Sequence, residues 1–260
     1  MNSWIRKYQL LASGMSISET TEVHFRVDFD DKPEPNTAEF KLYNLSRDTI
    51  SRFKRGDSII FNAGYEGDVG TIFVGDIIKV VTDWQETDKV TTITAGDGAG
   101  AWLNTTVNKT FKAGIRASQI IRDIIGGFGL EIGEIRLAED VTYGNGRTVH
   151  GKLQQVLRQI VEDCKSRLTI TNGVIMIRPP AAGTQTGFLL NSDTGLIGTP
   201  GYIDADDADF DVECLLNQRI TANSLLRIES RTARGNFRVV KGSHSGDDQN
   251  WVTQMEVVAI

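Results

Sequence analysis

Apolar and polar residues alternate along three stretches of the first hundred positions, Val23–Phe29, Ala38–Tyr43 and Val90–Ala95. A period of two puts every second side chain on one face, so each stretch predicts a half-buried strand of an antiparallel sheet. Between the first two lies Asp30–Asn36, whose two prolines and flanking acids predict an exposed connection, a hairpin or a longer lobe. Ser46, preceded by Leu45 and followed by Asp48, has the pattern of a helix N-cap, and Gly56 marks the stop of a short helix that would cover the sheet. Ser58–Ala63 and Thr71–Val81 read as further strands around the turn-forming Gly64–Asp68. Residues 1–100 are therefore expected to form a small β-barrel or sandwich with one helix.

The period then lengthens. Ile120, Ile121, Ile124 and Ile125 recur at helical spacing up to Gly126-Gly127, and Leu153, Val156, Leu157, Ile160, Val161 and Cys164 form a second stripe. Burying each large aliphatic side chain is worth roughly 1.5–3 kcal/mol, which favours a core role for this stripe over a partner-binding one. Leu168–Thr171 and Val174–Ile177 flank Asn172-Gly173, the pair favoured in a two-residue type I′ hairpin turn. Pro179–Gly183 reads as a linker, and Leu225–Glu229 and Phe237–Val240 return to strand patterning. The expected fold is mainly β with an α+β insert: β-domains at 1–100 and 183–260 flank a helix-plus-hairpin α/β domain at 101–182.

Composition narrows the function. The 260 residues are 40% hydrophobic and 24% charged, enough to bury a core, and no run approaches the ~20 apolar residues of a membrane span. The start, Met1–Lys7, lacks the apolar core of a signal peptide, so a cytoplasmic site of synthesis is expected. Cys164 and Cys214 read as small buried hydrophobes rather than a disulfide. A net charge of −6 is the opposite of a nucleic-acid reader's basic footprint, so sequence-specific binding of nucleic acid is not expected.

Candidate chemistry is sparse. Gly96-Asp97-Gly98-Ala99-Gly100-Ala101 fits a dinucleotide-binding glycine pattern, but the strand before it is half polar and Trp102–Val107 opens a helix poorly. Asp204, Asp206, Asp207, Asp209, Asp211 and Glu213 supply oxygens for calcium without the glycine that would fold a loop around it, and read as a solvated acidic turn. Ser243, His244 and Asp247 contain the residue types of a hydrolytic triad without a nucleophile elbow. His24, His150 and His244 lack zinc-site spacing. No catalytic, metal or cofactor site is therefore expected.

Two groups of motifs carry a resemblance. Asn36–Ser46, Gly56-Asp57, Ala63–Gly67 and Ile72–Ile77 resemble the first domain of baseplate hub proteins of tailed bacteriophages and phage-tail-like particles. Gly195–Pro200, Leu215-Leu216-Asn217, Gly235–Val239 and His244–Asp247 are similar to that family's last domain. The pieces follow the family's order over nearly the whole chain, and Ile175–Pro179 matches the end of its middle module. The chain stops at Ile260 without the peptidoglycan-cleaving extension some tail-tip proteins carry.

The resemblance implies a non-enzymatic homotrimer in which each subunit supplies two tube-like β-domains. Six such domains would ring a channel for DNA or tape-measure passage and adapt the six-fold tail tube to a three-fold spike. The implied partners are the tail tube or distal tail protein, the spike or tail-tip protein and the tape-measure protein. The implied location is the tail baseplate of a virion assembled in the host cytoplasm, without stable membrane insertion. The alternatives are a hexameric tube-terminal or adaptor protein and, with less support, a tail-associated cell-wall hydrolase.

Overall fold

A computed structural model of the chain describes residues 2–32, 34–98, 104–205 and 207–260. They form two compact units, one built from the segment ending at Asp30, Asn36–Asp97 and Gly183–Ile260, the other from the described residues of 31–35 and 98–182.

The first unit is almost entirely β. Its opening half carries β1 (Asn2–Ala12), β2 (Met15–Ser18), β3 (Val23–Asp30), β4 (Thr37–Tyr43), α1 (Arg47–Arg52), β5 (Ser58–Glu66), β6 (Asp68–Gln85) and β7 (Asp88–Gly96). Its closing half carries β15 (Thr184–Leu190), β16 (Leu196–Tyr202), β17 (Phe210–Leu215), β18 (Ser224–Glu229), β19 (Arg234–Gly246) and β20 (Trp251–Ala259). One 13-stranded sheet runs β16-β17-β20-β19-β3-β4-β7-β6-β5-β1-β2, with β18 also on β19 and β15 on β18. The alternation read in β3 is realised, Val23, Phe25, Val27 and Phe29 being buried. Ser46 caps α1 by accepting from the Thr49 amide at 3.1 Å.

Two features differ from the sequence reading. β1 and β2 precede the expected first strand, with Tyr8, Leu10 and Ala12 buried in a segment that also carries Arg6, Lys7 and Gln9. The turn expected over Gly64–Asp68 shrinks to a tight connection at Gly67, because Tyr65 stays in the strand, buried, with its hydroxyl donating to the Trp251 carbonyl at 3.1 Å.

The sheet contains a duplication. Neighbours run β3-β4-β7-β6-β5 in one half and β16-β17-β20-β19-β18 in the other, so five consecutive strands adopt the same order twice, antiparallel throughout. Both copies share a register shift, at Ile78 where β6 meets β7 and at Val240 where β19 meets β20. Superposing these shifts pairs Phe40 with Val212, Ile93 with Met255, Ile77 with Val239 and Phe61 with Ile228, all of them buried. Residue types differ while the inward positions agree, as expected when a pleat rather than a motif is preserved.

The halves are joined by strand pairing, since Lys241–Gly246 of β19 run antiparallel to Phe25–Asp30 of β3. Trp251 of β20 belongs to the core of the opening half, edge-on to Phe25 at 5.2 Å. Asp68 accepts from the two terminal guanidinium nitrogens of Arg219, at 2.6 and 2.8 Å, and from Gln218 at 2.7 Å.

The second unit contains β8 (Thr106–Phe111), β9 (Ile115–Arg116), α2 (Ala117–Ile125), β10 (Glu131–Ile135), β11 (Thr142–Tyr143), β12 (Arg147–Lys152), α3 (Leu153–Asp163), β13 (Arg167–Thr171) and β14 (Val174–Arg178). The two apolar stripes lie on α2 and α3 and share a core with Leu168, Ile170, Ile175 and Ile177 of the hairpin. Asp31 pairs with Arg167, and Glu34 with Arg158 at 3.3 Å, so these acids of the proline-containing connection belong to this unit. Asn172 and Gly173 have φ of 51° and 75°, the left-handed values of the turn read from sequence. Gly173→Val is expected to destabilise this unit by about 1–2 kcal/mol, measured by urea unfolding, because a β-branched residue resists positive φ.

Candidate assembly surface

The sheet leaves two kinds of backbone open. β16 terminates the strand order and, among the described residues, pairs only with β17. β6 outruns β5: the last β5–β6 partners are Ser58 and Asp76, and beyond Ile77 β6 pairs only with β7 among the described residues. Such edges invite further strand pairing.

Large apolar side chains stand out on these same two segments. Ile78 and Trp84 of β6 are 37% and 73% exposed, and Ile197 and Tyr202 of β16 are 38% and 76% exposed. Two of their counterparts at the internal junction are covered. Val240 matches Ile78 and Val27 matches Tyr202 in the duplication, and each is only 2% exposed. Exposed aromatics on an open strand edge are features of a surface built to be covered.

The residues singled out from sequence for chemistry do not converge. Ser243 and His244 are consecutive in β19 and face opposite sides of the strand, while Asp247 sits in the β19–β20 turn, accepting from the amides of Gln249 and Asn250 at 2.8 and 2.6 Å. His244 is buried, with Nδ1 2.9 Å from the Thr253 hydroxyl, and burial pushes its pKa down to about 4. His150 is exposed on β12. Asp97 is buried and accepts from the amide and side chain of Asn36, at 2.5 and 2.9 Å, fastening the end of β7 to the start of β4. The rest of that glycine-rich motif, Ala99 to Ala101, and Trp102 and Leu103 after it lie outside the described residues, as does Asp206 of the acidic run. Asp209 of that run accepts from the Ala259 amide at 2.7 Å. Both cysteines are free and buried, and burial raises the Cys214 thiol to about 12.

One cluster went unread in the sequence. His24 Nε2 lies 3.4 Å from Glu22 and 3.3 Å from Asp248, with Tyr43 Oη 3.0 Å from Nδ1. Burial and then the two acids hold the Tyr43 hydroxyl above its ordinary pKa. The ligand atoms of Glu22, His24 and Asp248 lie within 4.8 Å of one another, the one such trio among the described residues. A borderline divalent ion accepts this donor set, and a histidine ring hydrogen-bonded between two exposed acids accounts for the same distances. Asp248 lies 224 positions from His24 in sequence, which hides the grouping; only the spacing of Glu22 and His24, two apart on one face, was visible.

Solved structures match the chain along its length. A 43 kDa tail protein of prophage MuSo2 from Shewanella oneidensis aligns with 98% of this chain and 97% of its own, at TM-score 0.73 and 11% identity. A tail protein from Neisseria meningitidis aligns over 98% and 96% at TM-score 0.68 and 8% identity. The fold is that of phage tail proteins. A third match is a component of the Escherichia coli type VI secretion system that is itself similar to the phage T4 tail proteins gp27 and gp5 (TM-score 0.63, 10% identity, 96% of this chain and 76% of that one). No protein-family model matches the chain, and no curated protein matches it in sequence.

Proposed function

We propose that this protein is a non-enzymatic hub of a phage-type tail, a homotrimer whose ring joins a six-fold tube to a three-fold spike. The carrying observation is the duplication: one chain holds the same five-strand arrangement twice, in a fold shared with tail proteins over nearly the whole chain. Three copies then present six similar β-domains, which reconciles three-fold and six-fold symmetry without six chains. In this reading residues 1–100 and 183–260 act as the two tube-like domains, and 101–182 forms the insert. The ring surrounds a channel for DNA or tape-measure passage, and its partners are the tube or distal tail protein above and the spike or tip protein below. The location is the tail baseplate, after assembly in the host cytoplasm.

Electron microscopy of the purified protein tests this reading. Three-chain rings with six peripheral lobes are expected. Rings of six chains would replace it with the tube-terminal or adaptor alternative.

A further inference from the structure

The duplication allows the contact between neighbouring subunits to be written residue by residue. We infer that the distal part of β6 pairs antiparallel with β16 of a second copy, with Asp83 opposite Gly201, Thr82 opposite Tyr202 and Val81 opposite Ile203. The inference rests on the ring reading above and assigns its interface.

Inside one chain, β19 runs past the end of β18 and offers its edge to β3. β6 corresponds to β19 in the duplication and runs past the end of β5 in the same way, but that edge has no strand partner among the described residues. β3 corresponds to β16, which likewise has no second strand partner among the described residues. Each chain therefore holds one completed junction and the two unpaired halves of another. Head-to-tail contact between copies completes it, and a heterologous contact of this kind closes into a ring when the rotation permits.

The register follows from the matched bulges. Ser245 lies opposite Arg26 and His244 opposite Val27. Asp83 takes the place of Ser245 and Thr82 that of His244, counted from the shared shifts at Ile78 and Val240. Gly201 takes the place of Arg26 and Tyr202 that of Val27, counted through their partners Asp211 and Phe210 on β17.

Side-chain size and charge agree with this pairing. At the internal junction Phe25 packs on Gly246, where an added Cβ would stand 2.3 Å from its ring. At the proposed junction the large residue has changed strands: Trp84 replaces Gly246, and the Gly198-Thr199-Pro200 bulge replaces Phe25. Lys241 lies opposite Asp30. Its counterpart Lys79 would approach the acidic segment after β16, which includes Asp204 and Asp207, and that segment gains a role as the neighbour's counter-charge.

The test is disulfide trapping in the full chain. Directly opposed residues of antiparallel strands have Cα atoms about 4.5–5.5 Å apart, within disulfide range. Gly201 accepts a side chain, since an added Cβ meets nothing within 4 Å, and Asp83 is exposed. An Asp83→Cys/Gly201→Cys protein is expected, under mild oxidation, to give a reducible species of three linked chains. Val81→Cys/Gly201→Cys, displaced by two residues, is expected to give about tenfold less, because its Cα separation leaves the disulfide range. A trimer by light scattering that links no better in the first variant than in the second would overturn the strand junction and leave the trimeric hub standing. A chain that neither links nor trimerises at any concentration would overturn both.

Discussion

Trp251→Ala is expected to cost the β unit about 3–5 kcal/mol, the range for emptying a buried aromatic site. The residue is 5% exposed and belongs by sequence to the closing half, yet its ring packs in the core of the opening half against Phe25. Its indole nitrogen donates to the Asp247 carbonyl at 3.2 Å, and its own carbonyl accepts from Tyr65 and from the Leu216 amide at 3.0 Å. Truncation removes packing from one half and loosens the turn of the other. Urea unfolding of the full chain measures the effect, and Ile260→Ala, at a position 58% exposed, supplies the contrast at within about 0.5 kcal/mol of the parent. Equal losses from the two variants would mean that the halves are not coupled through Trp251.

Acid should weaken the same region before it reaches the carboxylates. His244 is wholly buried beside Thr253 and Phe29, and burial lowers its pKa from the ordinary 6.5 to about 4. The unfolded chain therefore binds a proton that the folded chain refuses. The His244 contribution is fully present above pH 6.5 and is lost as pH falls from there to about 4, a total of roughly 3 kcal/mol by linkage. Asp68 and Asp247 have pKa values lowered by their hydrogen bonds, to Arg219 for Asp68 and to backbone amides for Asp247, so their contributions vanish only at more acid pH, below the ordinary carboxylate value of 3.8. His244→Gln should flatten the stability profile between pH 6.5 and 4. A parent whose unfolding free energy stays constant across that window would contradict the assignment.

Patterning made much of the fold legible. β3, β4 and β7 alternate because one face meets a core and the other does not, and the stripes of α2 and α3 carry a period that strands cannot share. Ser46 and Asn172-Gly173 declare local geometry that no tertiary contact overrides. β1 escaped notice because Leu10 and Leu11 are adjacent apolar residues in a charged segment, so the period is blurred although Leu10 alone is fully buried.

The duplication was hidden for a different reason. Equivalent core positions share burial and register rather than residue type, with phenylalanine at 61 where isoleucine stands at 228 and isoleucine at 93 where methionine stands at 255. The assembly surface was equally invisible, because Trp84 and Tyr202 sit in strand-like sequence and only the strand order reveals that their edges lack partners. The resemblance to hub proteins implies a ring, and the proposed pairing of β6 with β16 of a second copy is a physical means of closing one.

The central claim is the three-chain ring, and molar mass by light scattering across a range of concentrations tests it most directly. Three copies of the 28.7 kDa chain predict a species of about 86 kDa that gains mass no further as concentration rises, as a closed ring requires. A plateau at the mass of six chains, or growth without a plateau, would contradict it.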